Sequence, residues 1–200
     1  MKFDDITTQH SMQFGYVAGT NGLLIIKGGA GGSIFGYKNK YLTMAERVKE
    51  KYGFAVMVSE NPVDIEPEEN MRATMEMAYD YIESFPKGIP VYYFGISKGA
   101  HYAATFAYQY PWVTRWMALN MPIIVNWHKI KRGLEQLPME QSMTIVFGDQ
   151  DPCFRHAGMV DTLKKRNVRK ITIENEDHYF SKSMEDFLQL PERYLFEMKD

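Results

Sequence analysis

The sequence contains a single cysteine, Cys153, so it can form no internal disulfide, which agrees with a reducing compartment. No segment approaches the roughly 20 consecutive apolar residues of a membrane span. Residues 1–5 carry acidic side chains where a secretory signal needs an apolar run. A soluble, cytoplasmic protein with no membrane partner is therefore expected. There is no basic surplus either: 23 Lys and Arg stand against 25 Asp and Glu, a formal charge of −2. Nucleic acids and anionic membranes call for a cationic face, so no nucleic acid is expected as partner and a small-molecule substrate fits better. No repeat, low-complexity tract or Pro/Gly/Ser-rich linker divides the chain, and 200 residues are few for two independent cores. One domain over 1–200 is expected, with a homodimer left open.

What the chain does have is alternation. Short apolar runs rich in branched residues occur at 23–26, 54–58, 91–96, 113–119, 143–147 and 168–173, with helical patterns between them. That order is the signal of strand-helix units around a parallel sheet. Most runs are apolar at consecutive positions, so helices should cover both faces. The expected fold class is α/β, with a mainly parallel central sheet of about six to seven strands and helices on both faces. Thr43 and Glu46 have capping-box spacing for a helix ending near Gly53. Met71, Met75, Ala78 and Ile82 share one face of a second helix, and Ala100, Ala103 and Ala104 belong to a third. Further helices are expected near 123–136, 156–166 and 181–197, the last kinked by Pro191.

Gly95-Ile96-Ser97-Lys98-Gly99 follows an apolar strand and precedes an alanine-rich helix, the letters and the context of a nucleophile elbow. The glycines answer a steric need, since side chains two residues to either side of a strained turn would collide. A serine hydroxyl attacks only when a base takes its proton. Among the five histidines, His178 follows the last strand and a short polar loop, at the carboxyl edge of the sheet where such a base is expected. His101 lies one turn along the helix after Ser97, and His10, His128 and His156 fall in segments with no other chemical signal. The imidazole needs an acceptor to fix its tautomer. Asp149 and Asp151 both lie past the strand at 143–147, and spacing alone does not separate them. Cys153 has no histidine partner for nucleophilic work, and Cys153 with His156 makes only half of a zinc motif. No metal and no cofactor are expected.

Two nucleotide-binding readings fail. Gly31 and Gly36 have P-loop separation, but Tyr37-Lys38 replaces the required Lys-Ser/Thr pair. A dinucleotide fingerprint on Gly29-Ala30-Gly31 would need a small residue at Ile34.

The elbow, the segment Gly148 to Asp151 and His178 together resemble the α/β-hydrolase family over residues 22–180, in the chain order Ser, Asp, His. The resemblance implies a small, lid-poor serine hydrolase, carboxylesterase-like first and thioesterase or peptidase next. The family's acid sits three residues after the glycine, which favours Asp151 over Asp149. Lys27-Gly28-Gly29-Ala30-Gly31-Gly32-Ser33 is similar to the family's His-Gly-Gly-Pro-Gly-Gly-Ser loop, which maps the oxyanion donors onto the amides of Gly29 and Lys98. Lys27 stands where many members have histidine, and Ala30 where proline is frequent. The first two family strands are reduced to one strand or a small hairpin near 11–18, and any lid is at most one helix near 123–137. Phe35, Tyr37, Phe154 and Tyr179, on loops around the three residues, are expected to form a shallow aromatic rim for substrate. A hydrolase-like fold used only for small-ligand binding is the competing reading.

Overall fold

The computed structural model describes residues 2–197. Eight strands form one sheet: β1 (Asp5–Gln9), β2 (Met12–Val17), β3 (Leu23–Lys27), β4 (Ala55–Ser59), β5 (Val91–Ile96), β6 (Arg115–Leu119), β7 (Ser142–Gly148) and β8 (Val168–Ile173). Their spatial order is β1, β2, β4, β3, β5, β6, β7, β8. From β4 to β8 every pair is parallel, whereas β1 and β2 form an antiparallel hairpin on the β4 edge. The hairpin starts earlier than the expected 11–18 and supplies both strands, so the sheet exceeds the expected strand number by one.

Every residue of β3, β4 and β5 is buried, because the two-residue period of a strand sends alternate side chains into two separate cores. Leu23, Ile25, Met57 and Tyr93 face α2 (Pro67–Ile82), α3 (Lys98–Phe106) and α4 (Trp127–Gln136). Leu24, Ile26, Val58 and Phe94 face α1 (Lys40–Tyr52) and α5 (Met184–Pro191).

Two local expectations change and a third holds. First, α1 begins at Lys40, not Thr43, so no capping box forms; the Thr43 hydroxyl instead donates to the Asn39 carbonyl at 3.2 Å from inside the first turn. Left-handed Lys38 and Asn39, φ 51° and 59°, turn the chain into the helix early. Second, the helix expected at 156–166 is a 3₁₀ run, Pro152–Thr162, whose first turn is capped by the Asp151 carboxylate. Third, the terminal helix bends as expected: Pro191 ends α5, and a π-turn, Glu192–Phe196, continues it because proline brings no amide. The 123–137 stretch folds as a 3₁₀ turn, Ile123–Val125, followed by α4. A side chain on Gly133 would come 2.4 Å from the Ala104 carbonyl, so α4 lies hard against α3.

Candidate active site

Ser97 is the first residue after β5 and has φ 52° and ψ −110°, a backbone conformation that is costly for any residue with a side chain. Its neighbours make room. A Cβ on Gly95 would meet the Gly99 carbonyl at 2.4 Å, and one on Gly99 would meet the Lys27 carbonyl at 2.3 Å. The turn is held at both ends, with Ser97 N–H donating to the Leu119 carbonyl (2.8 Å) and the Ser97 carbonyl accepting from His101 N–H (3.0 Å).

The loop after β8 brings His178 over this serine. Its Nε2 lies 3.1 Å from Ser97 Oγ, and its Nδ1 lies 2.7 Å from Asp151 Oδ2. Asp151 Oδ1 accepts the Cys153 amide at 2.6 Å. The Asp151 side chain is fully buried while that of His178 keeps 25% of its surface in solvent. Burial works to raise the Asp151 pKa, but the hydrogen bonds from His178 and from the Cys153 amide outweigh it and hold the carboxyl below its usual 3.8. An ionised carboxylate only accepts, so the imidazole proton belongs on Nδ1 and the Nε2 lone pair faces the serine hydroxyl. Asp149 does something different. Its Oδ1 accepts from Asn175 N–H at 2.7 Å and from Gln150 Nε2 at 3.0 Å, tying the acid loop to the histidine loop.

Sequence reasoning missed the residue that joins these loops. Asn120 follows β6, is fully buried and has φ 50°. Its Nδ2 donates to the carbonyls of Asp177 (3.2 Å) and His178 (3.1 Å), and its Oδ1 accepts Gly148 N–H at 2.9 Å. An asparagine just past a strand end, level with Ser97 and Gly148, is the signal that could have found it. Gly148 is itself required, since a Cβ there would lie 2.2 Å from the Glu176 carbonyl.

On the other side of Ser97 runs the glycine loop. A Cβ built on Gly29 would stand 3.4 Å from Ser97 Cβ and 3.8 Å from Oγ, so the loop backbone passes beside the hydroxyl. Among the described residues, no protein acceptor takes the amides of Gly29 or Lys98. The loop is fastened from behind by a buried polar network. Asn61 Nδ2 donates to the Gly28 carbonyl (2.8 Å), Gly31 N–H to the Asn61 carbonyl (2.7 Å) and Asn70 Nδ2 to Asn61 Oδ1 (3.1 Å). Beneath it Lys27 is completely buried, and its Nζ donates to Ser59 Oγ (2.9 Å), the Glu60 carbonyl (2.7 Å) and Thr74 Oγ1 (2.9 Å). Burial drives the Lys27 pKa well below 10.5, opposed by the charge of Glu60.

Of the four rim residues expected from sequence, two come together. Tyr37 and Tyr179, 70% and 73% exposed, line one groove of ≈ 770 Å³, and the Tyr179 ring stands edge-on to His178 at 5.2 Å. Phe35 instead meets Phe3 at 5.4 Å, and Phe154 packs against the core on the α2, α3 and α4 face. Each found an apolar neighbour that its loop position did not reveal. Two other histidines have local partners: burial lowers the His101 pKa against a bond to the Pro122 backbone, and His10 pairs with Glu76 at 3.8 Å.

Donor atoms of Asp151, Cys153 and His178 lie within 4.8 Å of one another, a spacing that one metal ion could span. The donors suit hydrogen bonding better. Asp151 already accepts from His178 and Cys153, and the thiol is pushed up to about 12, by burial first and by the Asp151 charge second.

No family model matches the sequence, and no curated protein matches it. Solved structures do. Est1E from Butyrivibrio proteoclasticus aligns with TM-score 0.71 at 13% identity, covering 94% of this chain and 95% of that one. Dienelactone hydrolase from Anabaena variabilis aligns with TM-score 0.71 at 16% identity over 98% of each chain. A serine hydrolase without a lid from Xanthomonas campestris aligns with TM-score 0.65 at 15% identity, over 89% of this chain and 86% of that one. These likenesses establish an α/β-hydrolase fold.

Proposed function

We propose that this chain is a serine hydrolase that cleaves a small ester, thioester or amide by two-step acyl transfer through Ser97, His178 and Asp151. The observation that carries the reading is the continuous hydrogen-bond line Ser97 Oγ, His178 Nε2, His178 Nδ1, Asp151 Oδ2, with spacings of 3.1 and 2.7 Å. The names of two structural neighbours, a dienelactone hydrolase and a serine hydrolase without a lid, support it.

In the first step His178 Nε2 takes the Ser97 proton while Oγ attacks the acyl carbon. The displaced carbonyl electron pair settles on oxygen, where the amides of Gly29 and Lys98 receive it. Asp151, ionised and buried, stabilises the imidazolium and keeps its orientation. The imidazolium then protonates the leaving group as the carbon–heteroatom bond breaks. In the second step His178 deprotonates water, which attacks the acyl-serine; as the carbon–Oγ bond breaks the imidazolium returns its proton to Ser97, and the acid is released.

A fluorophosphonate probe tests this directly. It should label the native protein at Ser97 and leave Ser97→Ala unlabelled, with hydrolysis in that variant reduced by roughly 10⁴-fold or more. Retained turnover in a folded Ser97→Ala protein, or no labelling of the native one, overturns the proposal.

A further inference from the structure

The groove beside His178 has features that the acyl-transfer chemistry does not use. One wall is the turn before α1, with Tyr37, Lys38 and Lys40, and the other is the loop into α5, with Tyr179, Phe180, Ser181 and Met184. Both walls carry backbone strain. Lys38 and Asn39 on one side and Phe180 on the other have φ between 51° and 59°, and strain of this kind gathers where surroundings hold a binding surface in shape. Both tyrosine rings are mostly exposed, although their loops lie next to apolar cores that could have buried them. At ≈ 770 Å³ the groove has the size of a small-ligand site.

Its charge has one sign. Among the described residues, two lysines line it and no Asp or Glu does. Asp177, the acid next to His178, turns its Oδ1 to the amides of Tyr179 and Ser181, at 2.9 Å each. Among the described residues neither Lys38 nor Lys40 forms an ion pair. Lys38 Nζ sits 5.3 Å from the centre of the Tyr37 ring. Lys40 Nζ sits 4.2 Å from the Phe187 ring and 5.4 Å from the Tyr41 ring, and burial lowers its pKa with no neighbouring carboxylate to oppose it. Ring faces return part of the hydration that such an ammonium loses, and a carboxylate would return more.

We propose that this groove recognises an aromatic group bearing a carboxylate, stacked between Tyr37 and Tyr179 and paired with Lys40, with Lys38 reinforcing the field. The assignment deepens the hydrolase reading, on which it rests for turnover but not for binding. It narrows the substrate from any small acyl compound to one whose acyl or leaving group is a flat anion.

Two probes of nearly equal size that differ in charge test it: 4-acetoxybenzoate and 4-acetoxybenzamide, which share acetyl group and ring. The quantity read is the ratio of their kcat/KM values within each variant, so that any general loss of rate cancels. The native protein should favour the carboxylate by about tenfold. Lys40→Gln should bring the ratio close to one, Lys40→Arg should keep most of it, and raised salt should shrink it. A native ratio near one, or a ratio untouched by Lys40→Gln, overturns the proposal. Equilibrium titration of Ser97→Ala with the same two compounds separates the two readings. Preferential binding of the carboxylate without turnover by the native protein sinks the hydrolase assignment alone, and turnover without charge preference sinks the groove assignment alone.

Discussion

Lys27 and Lys40 flank the site from opposite sides and are treated in opposite ways by the fold. Lys27 is sealed beneath the glycine loop with three oxygen acceptors for its three protons. Lys40 is half-buried among ring faces and, among the described residues, has no acceptor of its own. A buried cation whose bonds are all internal is part of the framework, since moving it would break three buried hydrogen bonds at once. A cation left without a partner beside a groove is free to meet something from outside. The same contrast runs through the acids: Asp151 is buried against His178, whereas Asp149 is held by loop amides.

The sharpest break in this contrast comes from the acids. Asp151→Asn should lower kcat by roughly 10⁴-fold, because a neutral amide no longer fixes the imidazole tautomer, whereas Asp149→Asn should cost less than about tenfold. Steady-state kinetics on one nitrophenyl ester compare them, and equal losses would mean that the acid has been assigned to the wrong carboxylate.

The next effect belongs to the framework lysine. Lys27→Met keeps the length of the side chain and removes the ammonium that braces the strand leading into the 28–32 loop. The kcat should fall about 10- to 100-fold with KM within about twofold, the pattern of a weakened oxyanion donor. Urea unfolding monitors the fold, and an unchanged kcat in a stable variant would show that Asn61 and Asn70 hold the loop unaided.

On the groove side the expected effect is a missing one. A closed apolar tunnel would raise kcat/KM by about fourfold for each methylene it buries. An open groove between two tyrosines should give no steady rise from nitrophenyl acetate to palmitate, and a rise continuing beyond octanoate would reveal a tunnel.

The smallest effect concerns Cys153. With its thiol pushed up to about 12, the thiolate fraction near pH 8 is of order 10⁻⁴, so iodoacetamide should label it slowly and faster only as pH climbs toward that value. Asp151→Asn removes the repelling charge and should speed the labelling. Rapid alkylation of the native protein at pH 8 would contradict the close, charged contact between Asp151 and the thiol.

Much of the frame was legible from local pattern. The strands read at 91–96 and 168–173 coincide with β5 and β8: β5 is buried at every position and correspondingly apolar, whereas β8, a half-buried edge strand, shows itself by its branched residues Val168, Ile171, Thr172 and Ile173. Ser97 and His178 stand out in the sequence because each follows a strand at the carboxyl edge of a parallel sheet, and the structure brings their side chains within 3.1 Å. The 3₁₀ run at Pro152–Thr162 was read as a helix because the two share nearly the same spacing of apolar residues. Asn61, Asn70 and Asn120 escaped because an isolated asparagine looks the same in a loop on the surface as in one sealed beneath an active site.

The sequence by itself determined the parallel sheet with its two helical layers, and it determined the turn at Ser97, since Gly95 and Gly99 are the only residue type that fits there. Only the tertiary structure decided that Asn120 ties the histidine loop to Gly148, that Tyr37 and Tyr179 share a groove while Phe35 packs on Phe3 and Phe154 on the core, and that Lys27 is framework while Lys40 has no ion-pair partner among the described residues. Those outcomes depend on which loop packs against which across the end of the sheet, a relation between residues far apart in the chain that no local spacing encodes.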